Sequence, residues 1–137
     1  MKKTATAMIS AATLALALGA GQASAATGRE LLPHPGPDGL IWIPEWTGSS
    51  GFVSGGLSPR LDTYTTFACE GGGTISVTFT LDEHPDRNPS PFTLTCPADT
   101  PAQLTTPLGT ALHGGFGAQV TTSSPTIRWG ATVVQPE

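Results

Sequence analysis

The stretch 74–81, TISVTFTL, places Ile75, Val77, Phe79 and Leu81 on one side and Thr74, Ser76, Thr78 and Thr80 on the other. That period of two is the signature of a half-buried strand. A second strand is predicted over about 62–70 and a third over 92–96, FTLTC. Cys69 shares its parity with Phe67, and Cys96 shares its parity with Phe92 and Leu94, so both sulfurs are expected to face a core. Further strands are predicted at 102–106, 116–122 and 126–135. In the last, Ile127, Trp129, Ala131 and Val133 alternate inward with Arg128, Gly130, Thr132 and Val134 outward. LIWIPEW (40–46) is apolar, but Pro44 removes a donor from its middle and limits it to an edge strand or two short pieces. The Gly/Ser run 48–56 reads as a loop around a very short strand at Phe52 and Val53, and the Pro/Gly-rich 26–39 as an extended arm. No part of 26–137 has helical periodicity over a useful length.

Gly71, Gly72 and Gly73 predict the turn between the first two strands, because glycine reaches positive φ without steric penalty. In a plain meander of the three strands, Cys69 and Cys96 would stand two strands apart, at about 9–10 Å. A disulfide needs Cα atoms within about 7 Å. A bridge therefore demands a second sheet, and the polar loop 82–91, with three prolines, is expected to carry 92–96 out of the sheet of 74–81 into the facing one. The expected fold is all-β: a single small two-sheet β-sandwich, Ig-like or jelly-roll-like, of about seven strands with one inter-sheet disulfide. Residues 26–56 are expected to form an N-terminal segment with short edge strands, and 57–137 the sandwich domain.

The first residues add a compartment. Lys2 and Lys3, an Ala/Leu-rich run to about Leu18 and the small residues Ala23, Ser24 and Ala25 read as an export signal over 1–25. The apolar run falls short of the roughly 20 residues of a spanning helix, so the expected location is secreted and extracellular, without membrane insertion. The remaining 112 residues suit one domain with one core. Two cysteines in an oxidising compartment are expected to pair, and the 28-residue ring closed by Cys69 and Cys96 is worth roughly 3–4 kcal/mol. Four arginines and no lysine stand against ten carboxylates in 26–137, a formal charge of −6 that disfavours nucleic acid and anionic membranes as partners.

Candidate chemistry is sparse. Asp82, Glu83, Asp86 and Asn88 put four oxygen-bearing side chains within seven residues, a density that calcium sites use, although the spacing matches no defined calcium loop. The alternative is a solvated connection kept soluble by charge. His34, His84 and His113 lie in three different loops, so a zinc site or catalytic base would have to be assembled by the fold. GSSGF (48–52) fails the Gly-x-Ser-x-Gly pattern at its last position, and Asn88 precedes a proline, so it is not a glycosylation acceptor. No cofactor is expected. Trp42, Trp46 and Phe52 form a candidate aromatic patch on which sugar rings stack; the competing reading is that they pack onto an open face of the sandwich.

With FACEGGGTISVTFTL (67–81), FTLTCPADTPAQLTTPLG (92–109) and SPTIRWGATVVQPE (124–137) behind an Ala-rich signal, the chain resembles short secreted single-disulfide β-sandwich proteins of actinobacteria with no assigned activity. The resemblance implies a fold and a location only. Small secreted protease inhibitors and chromoprotein-type antibiotic carriers of similar size rely on two disulfides, and this chain makes at most one. The expected function is a non-enzymatic binding or interaction module whose partner is an extracellular protein or a cell-wall component. An enzyme inhibitor or immunity-like protein presenting loop 82–91 is the alternative, with a cell-wall carbohydrate binder using Trp42 and Trp46 as a further one. Each makes its own demand: a sugar binder exposes the two tryptophans side by side, an inhibitor projects 82–91 as a rigid ridge, and an enzyme brings a histidine and a carboxylate together in a cleft.

Overall fold

The structure, a computed structural model, describes residues 30–137; the predicted export signal lies outside them. Among the described residues, eight strands follow one another: β1 (Gly39–Thr47), β2 (Ser50–Leu57), β3 (Thr63–Glu70), β4 (Gly73–Leu81), β5 (Phe92–Cys96), β6 (Ala102–Gly109), β7 (Gly114–Thr122) and β8 (Arg128–Val134). They form two antiparallel four-stranded sheets, ordered β1-β8-β3-β6 and β2-β7-β4-β5. The chain changes sheet at every connection except β4 to β5, which gives the eight-stranded, double-sheet jelly roll.

The alternation seen in the sequence decides what lies between the sheets. Ile75, Val77, Phe79 and Leu81 of β4, Phe116 and Val120 of β7, and Trp129, Ala131 and Val133 of β8 are buried in one cluster. Phe67 sits at its centre, with ring centres of Phe92, Phe79, Trp129 and Phe52 at 5.7, 6.2, 6.2 and 6.3 Å, within the range where edge-to-face and offset contacts are favourable. Buried polar groups are matched. The Thr65 hydroxyl donates to the Thr132 carbonyl at 2.9 Å. Gln135 accepts from the Ser58 amide at 3.0 Å and donates to the Ser58 carbonyl at 3.1 Å and the Thr63 hydroxyl at 2.9 Å.

The disulfide Cys69–Cys96 is present, with Cα atoms 5.1 Å apart, and it joins the two sheets. The route between the sheets differs from the expected one. β5 pairs with β4 in one sheet, from Gly73 opposite Cys96 to Val77 opposite Phe92, and it is β3 that belongs to the facing sheet. The crossover is therefore the glycine turn, and loop 82–91 joins neighbouring strands. The reason lies in the turn's hydrogen bonds: the Gly71 amide donates to the Pro97 carbonyl at 2.8 Å and the Gly72 amide to the Cys96 carbonyl at 2.9 Å. Gly71 and Gly72, at φ 129° and 81°, fold the chain into an arch tied to the end of β5 instead of closing a hairpin.

A second difference concerns 48–56. From Ser50 onward it is β2, which runs eight residues to Leu57 and pairs with β7, where a loop with a very short strand was expected. Phe52 and Leu57 face inward, but an irregularity between Ser54 and Leu57, with Gly56 at φ 79°, breaks the period-two pattern. β1 and β2 are thus full members of the two sheets, and the sandwich extends across the boundary expected at 56/57.

The arm 30–38 lies on the outer face of the first sheet. The Leu31 amide donates to the Pro44 carbonyl at 2.8 Å, the Trp42 indole N–H donates to the Leu32 carbonyl at 3.0 Å, and Leu32 is buried. Gly130 admits this packing: a Cβ there would stand 2.9 Å from the Ile43 carbonyl oxygen and 3.4 Å from the Leu31 Cβ.

Candidate functional site

The jelly roll has four edge strands, β1 and β6 in one sheet and β2 and β5 in the other. An open edge is a template for pairing with another chain unless something blocks it. In β1, Pro44 lacks a donor, its carbonyl is taken by Leu31, and the register shifts between Ile43 and Trp46. β6 contains Pro107 and follows Pro101. β5 is five residues long, between Pro91 and Pro97. β2, SGFVSGGL, has neither proline nor charge.

Grooves flank β2 on both sides, and Gly51 lines each. The outer one, about 470 Å³, is a trough across β2, β7 and β4 bounded by Val53, Thr78, Thr80, Asp82 and Gln119. Its floor exists because Gly117 stands between Val53 and Thr80 in the ladder. A Cβ at Gly117 would come within 3.3 Å of the Val53 Cγ1. The inner groove, about 370 Å³, opens between the edges of the two sheets and is lined by Trp42, Ile43, Glu45, Trp46, Ser50 and Trp129. Val53 is 84% exposed and Trp46 50%, large apolar surface on both sides of an uncharged edge.

The candidate aromatic patch is divided by this geometry. Trp42 and Trp46 meet at the inner groove, but Trp42 is held on the outer face by Leu32 and by the His34 ring, at 4.8 Å. Phe52 turns into the core between Phe67 and Phe116. Trp129 is buried, as its parity requires, and its indole N–H donates to the Gly48 carbonyl at 2.9 Å. Beneath the groove, Arg128 pairs with both Glu45 and Glu70, so Glu45 is fixed in place.

At one end of the sandwich, loop 82–91 is held at three points. The Leu81 amide donates to the Asn88 side-chain oxygen at 2.7 Å, the Arg87 guanidinium to the Thr110 carbonyl at 2.7 Å, and the His113 amide to His84 Nε2 at 3.3 Å. Pro85–Arg87 forms a short 3-10 turn. The fold thus brings His84 and His113 together, ring centres 4.7 Å apart, a pairing that residues 29 apart in sequence do not announce. Of the candidate calcium ligands, Asn88 has its oxygen committed to the backbone, while the side chains of Asp82 and Glu83 cover Gly115 and Gly114. Among the described residues no group of three or more His, Cys, Asp or Glu side chains is placed to hold a metal ion. No helix among them is long and apolar enough to cross a membrane.

Among the described residues, fold and site together define a disulfide-bridged jelly roll whose β2 edge, free of proline and charge, lies between two grooves. No family model matches the chain, and no curated protein matches it in sequence. Among solved structures the chain is similar to one described as "Bacillus endospore appendages form a novel family of disulfide-linked pili", at a TM-score of 0.33 and 10% identity, covering 71% of this chain and 85% of that one. At this level the likeness transfers neither fold nor function.

Proposed function

We propose that the protein is a secreted, non-enzymatic interaction module that binds an extracellular protein at the border between β1 and β2. The observation that carries this reading is the pairing of exposed Trp46 and Val53 across an edge strand with no charge. Interface centres are enriched in aromatic residues and depleted of charge. The buried disulfide suits an oxidising compartment, in keeping with the export signal. A flat sugar platform is disfavoured because Trp42, although it lines the inner groove with Trp46, has its indole N–H tied to the Leu32 carbonyl and its ring packed edge-on against His34.

The test is site-specific photocrosslinking in culture medium and cell-wall extract of the source organism. A benzophenone side chain at position 53 is expected to yield a discrete adduct, and one at position 95, exposed on the opposite edge of the same sheet, none. Equal labelling from both positions, or none from either, refutes the reading. The triple anchoring of 82–91 favours a second reading, in which that ridge enters a secreted enzyme. A benzophenone at position 86 that alone gives the adduct would establish it.

A further inference from the structure

The geometry points to strand addition at β2: an extended segment of another protein, basic at one alternating set of positions and apolar at the other, pairs along this edge as the fifth strand of the sheet. The inference rests on the protein-binding reading above and specifies its chemistry.

In β2 the run Ser50–Ser54 is interrupted by neither proline nor bulge and is paired on one side only among the described residues, with the Ser50 carbonyl accepting from the Gln119 side-chain amide at 3.2 Å. The other edges carry or abut proline: β1 has Pro44, β6 has Pro107, and β5 is confined between Pro91 and Pro97 with its Cys96 carbonyl taken by the Gly72 amide. An added strand would run about 4.8 Å from β2 and send successive side chains to opposite faces. The two grooves supply a receptacle for each set. Side chains on the outer face meet Val53 and the glycine-floored trough, whose acidic group is Asp82. Side chains on the inner face enter the gap between the sheet edges, against Trp46 and Ile43, where the one carboxylate, Glu45, is already paired with Arg128. Strand-addition sites work in this way, with main-chain bonds giving affinity and alternate pockets giving selectivity.

Charge selects the occupant. The described chain has three arginines, no lysine and ten carboxylates, so two copies repel one another at long range, while a basic segment is drawn in. A second copy pairing β2 with β2 would also present valine and glycine to the trough, with no cation for Asp82. A lysine or arginine on the outer set and an aliphatic side chain on the inner set fit both grooves.

The experiment uses the intact disulfide-bonded protein and a blocked octapeptide alternating lysine and valine. Two companions carry N-methyl groups on alternate amides, one on each set. Main-chain pairing is largely independent of sequence, so this simple peptide at millimolar concentration is expected to shift the amide signals of residues 51–54. One N-methylated companion is expected to bind about tenfold or more weaker and the other about as well, because only one set of amides faces β2. The W46A variant is expected to weaken binding about tenfold, and D82N a few-fold and only for lysine-bearing peptides. No shift at residues 51–54, or equal affinity for both companions, overturns strand addition. So does a concentration-dependent dimer that shifts the same signals without peptide, which assigns the edge to a second copy. If binding is insensitive to N-methylation while the crosslink from position 53 persists, strand addition fails and the protein-binding reading stands.

Discussion

Replacing both cysteines by alanine isolates what the bridge contributes. The cysteines are 27 positions apart in sequence, and chain-entropy bookkeeping for a loop of this size gives about 3.6 kcal/mol at 25 °C, acting on the unfolded ensemble. Both side chains are buried, at 0% and 1% exposure, so each truncation also removes core packing worth on the order of 1 kcal/mol or less. Alanine is the appropriate replacement, since serine would bury two hydroxyls and add a penalty unrelated to the bridge. The expected loss is therefore about 4–5 kcal/mol, a large share of the roughly 5–15 kcal/mol of a domain this size, and a fall in Tm of about 10–20 °C.

The assay is urea unfolding of C69A/C96A beside the oxidised protein, followed by tryptophan fluorescence and by far-ultraviolet circular dichroism. Because the bridge constrains the unfolded chain, the variant is expected to show a larger m as well as a lower midpoint. Reduction of the wild type should reproduce most of the shift without the packing loss. An unchanged midpoint in both refutes the disulfide as a stabilising element. A shifted midpoint with an unchanged m refutes the unfolded-state account and assigns the effect to packing.

Three further substitutions test particular contacts. Q135A leaves the Ser58 amide and the Thr63 hydroxyl without their partner and is expected to cost about 2–3 kcal/mol in urea unfolding; a loss below 0.5 kcal/mol would show that water replaces the amide. G73A places a methyl 2.5 Å from Ile127 Cδ1 and 2.4 Å from Ser123 Oγ, with Ile127 fully buried, and is expected to cost about 1–3 kcal/mol through overpacking; a Tm equal to wild type would place those side chains elsewhere. N88A removes the acceptor for the Leu81 amide and is expected to cost about 1 kcal/mol while raising hydrogen exchange at that amide; unchanged exchange would mean loop 82–91 is held without it.

Where the core is aliphatic and strictly alternating, the strands were legible in the sequence. β4 and β5 begin and end within a residue of their expected bounds, and β8 presents Trp129, Ala131 and Val133 inward as the pattern requires. β2 was not legible, because its inward set is Ser50, Phe52, Ser54 and, past a glycine irregularity, Leu57. Two of those side chains carry little hydrophobic signal, and the irregularity shifts the phase. The distance argument required Cys69 and Cys96 to sit in different sheets, and they do. It named the wrong strand as the one that leaves: 92–96 stays beside 73–81, and it is β3 that lies in the facing sheet. Three consecutive glycines allow a hairpin or an arch, and only the acceptors at Cys96 and Pro97 choose between them.

The site was less legible than the fold for a related reason: it is built from what is missing. An edge is unblocked because proline and charge are absent from β2, and a trough exists because Gly51 and Gly117 have no side chains, neither of which marks a position as functional in the sequence. The topology then separates recognition from stability. β2 and β5 are the opposite edges of one sheet, with β7 and β4 between them, and the disulfide ties β5 and the glycine arch to β3. The covalent constraint lies on the edge that proline already closes, while the other edge is held without one, by Phe52 and Leu57 in the core, by pairing to β7 and by hydrogen bonds at its two ends from Trp129 to Gly48 and between Gln135 and Ser58. Tightening the β2 border by filling its trough, as at Gly117, would remove the concavity through which it selects a partner. The side of the sandwich without the disulfide is therefore the side on which binding is to be sought.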